Sequence, residues 1–396
     1  MSQHIIISRL FKPSVCKFFR HKNVCLFSST TYTNIGLDSN AKLVSPIHCS
    51  FLSTPTYPFL LIDYVLNIPD SPDGRVIRTY ETCDPDQAPK SRQILIRDKK
   101  LVDEVRHAMT VGFSHHGLGF KLSENSLDIL IDDPKLSPAC VHLPPLPTGF
   151  RIQSVAMSSS SNDLNNNEDW VVGVKSWGSQ LSLFRPGHDQ WINTKVSPEC
   201  IHPFSSLMYS KKDQRFYIPS PGGHLLCALD LYFKEGDQPE FIRVIDSIPD
   251  SVFPELAWQI SYSRTDHLVE SPSGEQFLVK WYSKSSRGDH NEVETLVHTA
   301  TQFMVFRAEE SWDEKYVNYT EDIGDLCIFL GHSEAFCIQA SSCPGLKPNC
   351  IYFVGYDFGV YDLSTKTCTT FYTEDDDVPL RNLEFPYWPP PVSLYS

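Results

Sequence analysis

His115 and His116 form the chain's adjacent histidine pair. Imidazoles are common metal ligands. Neighbours on a strand point to opposite faces, so this pair is not expected to close on one ion. Gly331-His332-Ser333-Glu334 opens like the G-x-S-x-G turn that exposes a nucleophilic serine, but Ala335 stands where the closing glycine belongs. Cys337, Cys343 and Cys350 lie near one another in a chain of 12 cysteines. None of the cysteines makes C-x-x-C or a zinc-ribbon spacing, so buried reduced thiols are expected rather than a redox pair. Glu374-Asp375-Asp376-Asp377 lacks the alternating ligands of a calcium loop and reads as solvated surface. G-x-x-x-x-G-K-[ST] and H-E-x-x-H are absent. No catalytic, cofactor-binding or metal-ligating set emerges, and no cofactor is expected.

The elements that would position these side chains are short. Strand-like runs fall at 59–65, 93–97, 127–131, 170–174, 181–184, 216–219, 225–229, 277–281, 303–306, 327–330 and 351–356. They are bounded by turn residues, and Gly222-Gly223-His224 reads as a hairpin turn. Residues 98–109 are the best helix candidate, with Leu101, Val105 and Ala108 on one side and charge elsewhere. Leu183-Phe184-Arg185 leads through a polar turn to Trp191, and Val305-Phe306-Arg307 leads likewise to Trp312. Gly359-Val360-Tyr361-Asp362-Leu363 runs into Ser364-Thr365-Lys366 in the same way, without a Trp. Both tryptophans are expected to pack between blades. A unit of about 40–50 residues is the propeller-blade period, and about 340 residues would hold six to eight blades. The expected fold is therefore all-β, a β-propeller of six to eight four-stranded blades over 55–392. The polar run 158–169 reads as a loop before the later blades.

The start of the chain has a different composition. Arg9, Lys12, Lys17, Arg20 and Lys22 precede the first acidic residue, Asp38. The whole chain has 34 basic and 48 acidic residues, so the leader carries +5 and the remainder −19. On a helical wheel Ile7, Phe11, Val15 and Phe18 share a stripe, although Pro13 interrupts it. Ser28, Ser29, Thr30, Thr31 and Thr33 follow. A basic, hydroxyl-rich, acid-poor start is the composition of a transit peptide, here assigned to 1–37 as a disordered or amphipathic-helical segment. Phe27-Ser28-Ser29 resembles the aromatic–serine cleavage context of plant mitochondrial presequences. The expected location is the mitochondrion, with the plastid as alternative, and the leader would engage the organelle import machinery. Strong acidity disfavours nucleic acid, which needs a basic surface. No run approaches the roughly 18 apolar residues of a membrane span.

Several segments carry a family resemblance. Residues 127–134 read LDILIDDP, 141–146 VHLPPL and 114–118 SHHGL. Residues 345–353 read GLKPNCIYF, 359–363 GVYDL and 388–391 WPPP. Together they resemble the plant domain of unknown function 295 family, the F-box-associated, KIB-type kelch-like β-propellers. The resemblance runs from about Pro58 to Val392. It implies a propeller. The best-known relatives are substrate receptors of ubiquitin ligases, with an F-box before the propeller. Residues 1–50 show the basic leader instead of a leucine-rich three-helix pattern, as in an organelle-directed branch. The favoured reading is a non-enzymatic interaction propeller whose blade loops hold a protein or peptide partner. The alternatives are an F-box-like ligase receptor and a propeller enzyme with carboxylates and histidines gathered at the central channel.

Overall fold

The computed structural model describes three strands within 59–96 and most of 108–370; inside the latter, 124–125, 132–138, 147–151, 159–169, 177–179, 196–205, 221, 250–262, 289–294, 310–313, 332, 344–345 and 355–357 are excepted. Strands β1 (Phe59–Tyr64), β2 (Arg75–Glu81) and β3 (Ser91–Ile96) make an antiparallel sheet. A four-stranded antiparallel group follows: β4 (Ala108–Phe113), β5 (Gly119–Ser123), β6 (Ser126–Ile131) and β7 (Ala139–Pro145). The next is β8 (Ile152–Met157), β9 (Val172–Ser176), β10 (Gln180–Phe184) and β11 (Ile192–Lys195). Then come β12 (Met208–Ser210), β13 (Arg215–Pro219), β14 (Leu225–Asp230) and β15 (Glu240–Ser247). They are followed by β16 (Ser263–Glu270), β17 (Gln276–Gly288), β18 (Thr295–Ala308) and β19 (Glu314–Thr320). The last group holds β20 (Leu326–Leu330), β21 (Phe336–Gln339), β22 (Cys350–Val354), β23 (Phe358–Asp362) and β24 (Thr367–Thr370).

This is a β-propeller. Among the described residues the strands fall into six blade-sized groups, and the first strands β4, β8, β12 and β16 lie side by side. The apolar core is distributed over the seams between blades rather than gathered at one centre. Phe120, Val155 and Trp170 belong to one seam, Leu181, Leu207 and Phe216 to the next. Tyr217, Leu278 and Phe306 fill a third, and Phe303, Ile328 and Phe353 a fourth. Period-two side-chain alternation explains how one strand serves two seams. On β13, Phe216 and Ile218 enter one seam while Tyr217 enters the other.

Two departures from plain four-stranded blades matter for the surface. Strands β15 and β19, each the last of its group, pair in parallel and join two blades into an eight-stranded sheet. In the last group β20 pairs in parallel with β22, and β21 folds back on the other side of β20.

The helix expected over 98–109 is corrected at its end. Ala108 and Met109 lie in β4 and pair with Ser123 and Leu122 of β5, because Thr110, Val111 and Phe113, which follow them, favour a strand. Residues 98–107 lie outside the described set. Trp191 is buried as expected, just before β11, with its ring 5.5 Å from that of Phe184. Its indole donates to the Pro144 carbonyl at 2.8 Å, which ties the LPPL segment of one blade to the next. Trp312, the acidic run 374–377, the leader 1–37 and residues 159–169 lie outside the described residues. Among the described residues no helix is long and apolar enough to cross a membrane.

Candidate functional site

The histidine pair sits in a turn, not along a strand. Ser114 donates its amide to the Leu118 carbonyl at 2.9 Å, and Gly117 donates to the Ser114 carbonyl at 2.9 Å. Gly117 has φ +83, so glycine suits the turn's left-handed position. The two rings therefore come together, with centroids 3.7 Å apart, instead of facing opposite sides. His116 is buried and its pKa is pushed down to about 2, first by burial and then by the neighbouring His115 and Lys211. It is a neutral imidazole at physiological pH.

Glu334 meets this turn from across the ring. Its carboxylate Oε2 accepts the His115 amide at 2.9 Å and lies 3.1 Å from His115 Nδ1. Its Oε1 accepts the Tyr209 amide, in β12, at 2.7 Å. Its own amide donates to the Phe113 carbonyl, at the end of β4, at 3.0 Å. The Glu334 side chain has no exposed surface. One residue from the β20–β21 connection thus holds two other blades on the propeller axis. Burial, and then the nearby Glu270 and Glu334 carboxylates, push the Tyr209 phenol up to about 12.

Glu270 acts in the same way one blade along. Its Oε1 accepts the Lys211 and Lys212 amides at 3.0 and 3.2 Å, and its Oε2 accepts the Ser210 hydroxyl. Gln276 donates to Ser210 Oγ and Asp213 Oδ2, each at 2.8 Å. Lys315 donates to Asp213 Oδ2 at 2.9 Å and to Gln276 Oε1. Burial raises the Asp213 carboxyl, but the bonds from Gln276, Lys315 and Tyr217 outweigh it and hold it at about 2.

The opposite face of the same two blades carries a second charged cluster. Lys280, buried, pairs with Asp246 from the neighbouring blade. Asp266, also buried, lies 3.2 Å from Arg264 Nε and accepts the Gly222 amide at 3.3 Å. Burial raises the Asp266 carboxyl, while Lys280 lowers that of Asp246 against its own burial. The Gly222-Gly223 hairpin turn expected from the sequence packs here, with φ +98 and +62. These clusters brace the paired blades at both ends.

The remaining sequence candidates separate. Ser333 is buried beside Glu334, and His332 lies outside the described residues. Cys337, Cys343 and Cys350 are buried free thiols, and burial raises each of their pKa values. Among the described residues no group of three or more metal-capable side chains converges. A shallow groove of about 680 Å³ opens between the last two blades, lined by Pro249, Tyr319, Glu321, Asp322, Pro348 and Asn349 among others. The clasp residue Glu334 was not legible as such. Its motif fragment suggested a nucleophile turn, and its partners lie 125 and 219 positions away.

Fold and seams define a β-propeller, with blades of mostly short strands set side by side around a ring. The chain belongs to the KIB1-4 beta-propeller family, whose model matches residues 89–372. Comparison with curated proteins finds no match. Among solved structures it is similar to the N-terminal domain of Nup159, at 9% identity over 82% of this chain and 80% of that one, with a TM-score of 0.32. It is also similar to a putative 6-phosphogluconolactonase from Bacteroides uniformis, at 10% identity over 66% and 83% of the two chains, with a TM-score of 0.28.

Proposed function

We propose that this protein is a non-enzymatic interaction propeller of an organelle, the mitochondrion first and the plastid as alternative, that holds a protein or peptide partner through its blade loops. Glu334 carries the reading. An enzyme of the channel would need a carboxylate or imidazole free to meet a substrate. Here the Glu334 carboxylate has both oxygens engaged by backbone amides and no exposed surface, and His116 is buried and neutral. The axial chemistry serves ring closure, which leaves the outer loops and strand edges for recognition. The basic leader, Arg9 to Lys22, supports import by its composition.

Two experiments test this. Residues 1–40 fused to a fluorescent reporter are expected to direct it to mitochondria. Plastid fluorescence would select the other organelle, and cytosolic fluorescence would favour the ligase-receptor alternative. The full chain purified from isolated mitochondria is expected to carry a stoichiometric protein partner. Recovery of a bound small molecule or metal in its place would favour the channel enzyme.

A further inference from the structure

The groove of about 680 Å³ between the last two blades has an apolar wall and a polar one. The apolar wall is the Tyr319 ring with Pro249 and Pro348. The ring stands edge-on to Phe306, centroids 5.8 Å apart, and its hydroxyl donates to Glu321 Oε1 at 2.9 Å. The polar wall is the β19–β20 connection, with Asn349 and Ser364 from the last blade.

The groove keeps its main-chain donors for itself. The Asp322 amide donates to Thr320 Oγ1 at 3.1 Å, and the Gly324 amide to Asp322 Oδ1 at 2.8 Å. The Asn349 amide donates to the Leu326 carbonyl at 3.0 Å, and the Ser364 amide to Asp362 Oδ1 at 2.8 Å. Pro249 and Pro348 have no amide to give. A strand that needs a hydrogen-bond ladder is therefore poorly served. A polyproline II segment has no such need, and it docks by laying its rings on aromatic and apolar walls.

Charge sets the second requirement. Glu321 is matched by Lys366 at 3.0 Å, and Asp362 by Lys347 at 2.7 Å. Asp322 is exposed, and among the described residues no cation pairs with its carboxylate. Arg307 donates to the Asp322 carbonyl instead, at 3.3 Å, and lies 3.6 Å from Glu275. The rim is thus acidic once its internal pairs cancel. A guanidinium suits a carboxylate because its planar fork matches both oxygens. A second copy of this chain is disfavoured as the occupant, because each copy carries −14.

We propose that this groove binds a partner segment in polyproline II form that carries an arginine beside its prolines. The prolines lie on the wall of Tyr319, Pro249 and Pro348, and the guanidinium meets the Asp322 carboxylate. The inference rests on the reading of the propeller as an interaction scaffold and names the place and the segment held there.

A capped fluorescent peptide, Pro-Pro-Ala-Arg-Pro-Pro, is the probe, read by anisotropy on the full chain. Binding is expected to saturate below about 1 mM. Citrulline in place of the arginine keeps the shape without the charge and is expected to weaken binding about threefold, the size of an exposed ion pair. Asp322→Asn keeps the oxygen that accepts the Gly324 amide. It is expected to weaken the arginine peptide about threefold and to leave the citrulline peptide unchanged. Alanine in place of the prolines is expected to cost about tenfold. No saturable binding, equal binding by the citrulline or the alanine peptide, or an Asp322→Asn loss shared by both charge forms would each overturn the proposal. So would a tenfold gain in probe affinity in Trp388→Ala, which means that the chain's own 388–391 segment holds the groove. Excess probe is expected to release the partner that co-purifies with the full chain. A partner that stays bound sinks the groove alone and leaves the scaffold reading standing.

Discussion

Tyr209 and Glu334 stand 125 positions apart, and the Tyr209 amide donates to the Glu334 carboxylate at 2.7 Å. The same carboxylate takes the His115 amide from a third blade. A ring of blades held mostly by apolar seams can slide, because hydrophobic contact is non-directional. A buried carboxylate that accepts charge-assisted bonds from two blades fixes their relative position.

Removing that carboxylate should therefore cost more than an ordinary buried polar contact. Glu334→Ala leaves the Tyr209 and His115 amides without acceptors and is expected to lower the unfolding free energy by about 3 kcal/mol. Glu334→Gln keeps one acceptor oxygen and is expected to lose roughly half as much. Urea unfolding followed by tryptophan fluorescence measures both. Wild-type stability in Glu334→Ala would show that the seams alone close the ring.

His116 links this region to pH. Its folded pKa of about 2 lies far below the ordinary histidine value of 6.5, chiefly because the ring is buried. The unfolded chain therefore binds a proton between these values and the folded chain does not, so stability falls as pH drops from about 6.5 toward 2. The slope from one such group approaches about 1.4 kcal/mol per pH unit. His116→Asn removes the titration, and its stability relative to wild type is expected to rise steadily as pH is lowered from 7 to 5. A parallel pair of pH profiles would contradict the buried neutral imidazole.

Much of the fold was legible for local reasons. Trp191, the Gly222-Gly223 turn and the short apolar runs such as 216–219 announce themselves through spacing of a few residues. The histidine pair was misjudged because period-two logic applies only on strands, and Gly117 places His115 and His116 in a turn. The clasp was invisible for a different reason. A carboxylate that accepts backbone amides asks nothing of its partners' side chains, so neither Tyr209 nor His115 had to leave a mark in residue type. The same holds for the parallel β15–β19 seam, which depends on register between strands more than 60 residues apart.

The Asp213–Lys315 pair should govern part of the acid limit. Asp213 is held at about 2, below the ordinary aspartate value of 3.8. The stability it confers is complete above about pH 4 and is lost as pH falls through about 2. Lys315→Met keeps the apolar stem over the Tyr217 ring, which the ammonium now approaches to 4.7 Å from the centroid. It removes the charge and both donated bonds, so the acid unfolding midpoint is expected to move to higher pH. Circular dichroism between pH 2 and 5 follows the shift, and an unchanged midpoint would mean that Gln276 and Tyr217 suffice.

Asn349 offers a test of why the KPNCIYF segment reads as a family motif. Its backbone sits at φ +58, a region that asparagine tolerates and most side chains avoid. Its Oδ1 accepts the Ile323 amide at 2.9 Å, while Nδ2 donates to the Glu321 carbonyl at 2.9 Å and to Ser364 Oγ at 2.8 Å. One side chain thereby joins the β19–β20 connection to the turn after β23. Asn349→Ala loses the three bonds and adds strain at the left-handed position, and it is expected to cost about 3 kcal/mol. Asn349→Gly loses the same bonds without the strain, so it should be less damaging by about 1 kcal/mol. Chemical denaturation of the two variants separates backbone from side chain. Equal losses would assign the residue's role to the amide bonds alone, and a more stable alanine variant would contradict the left-handed conformation.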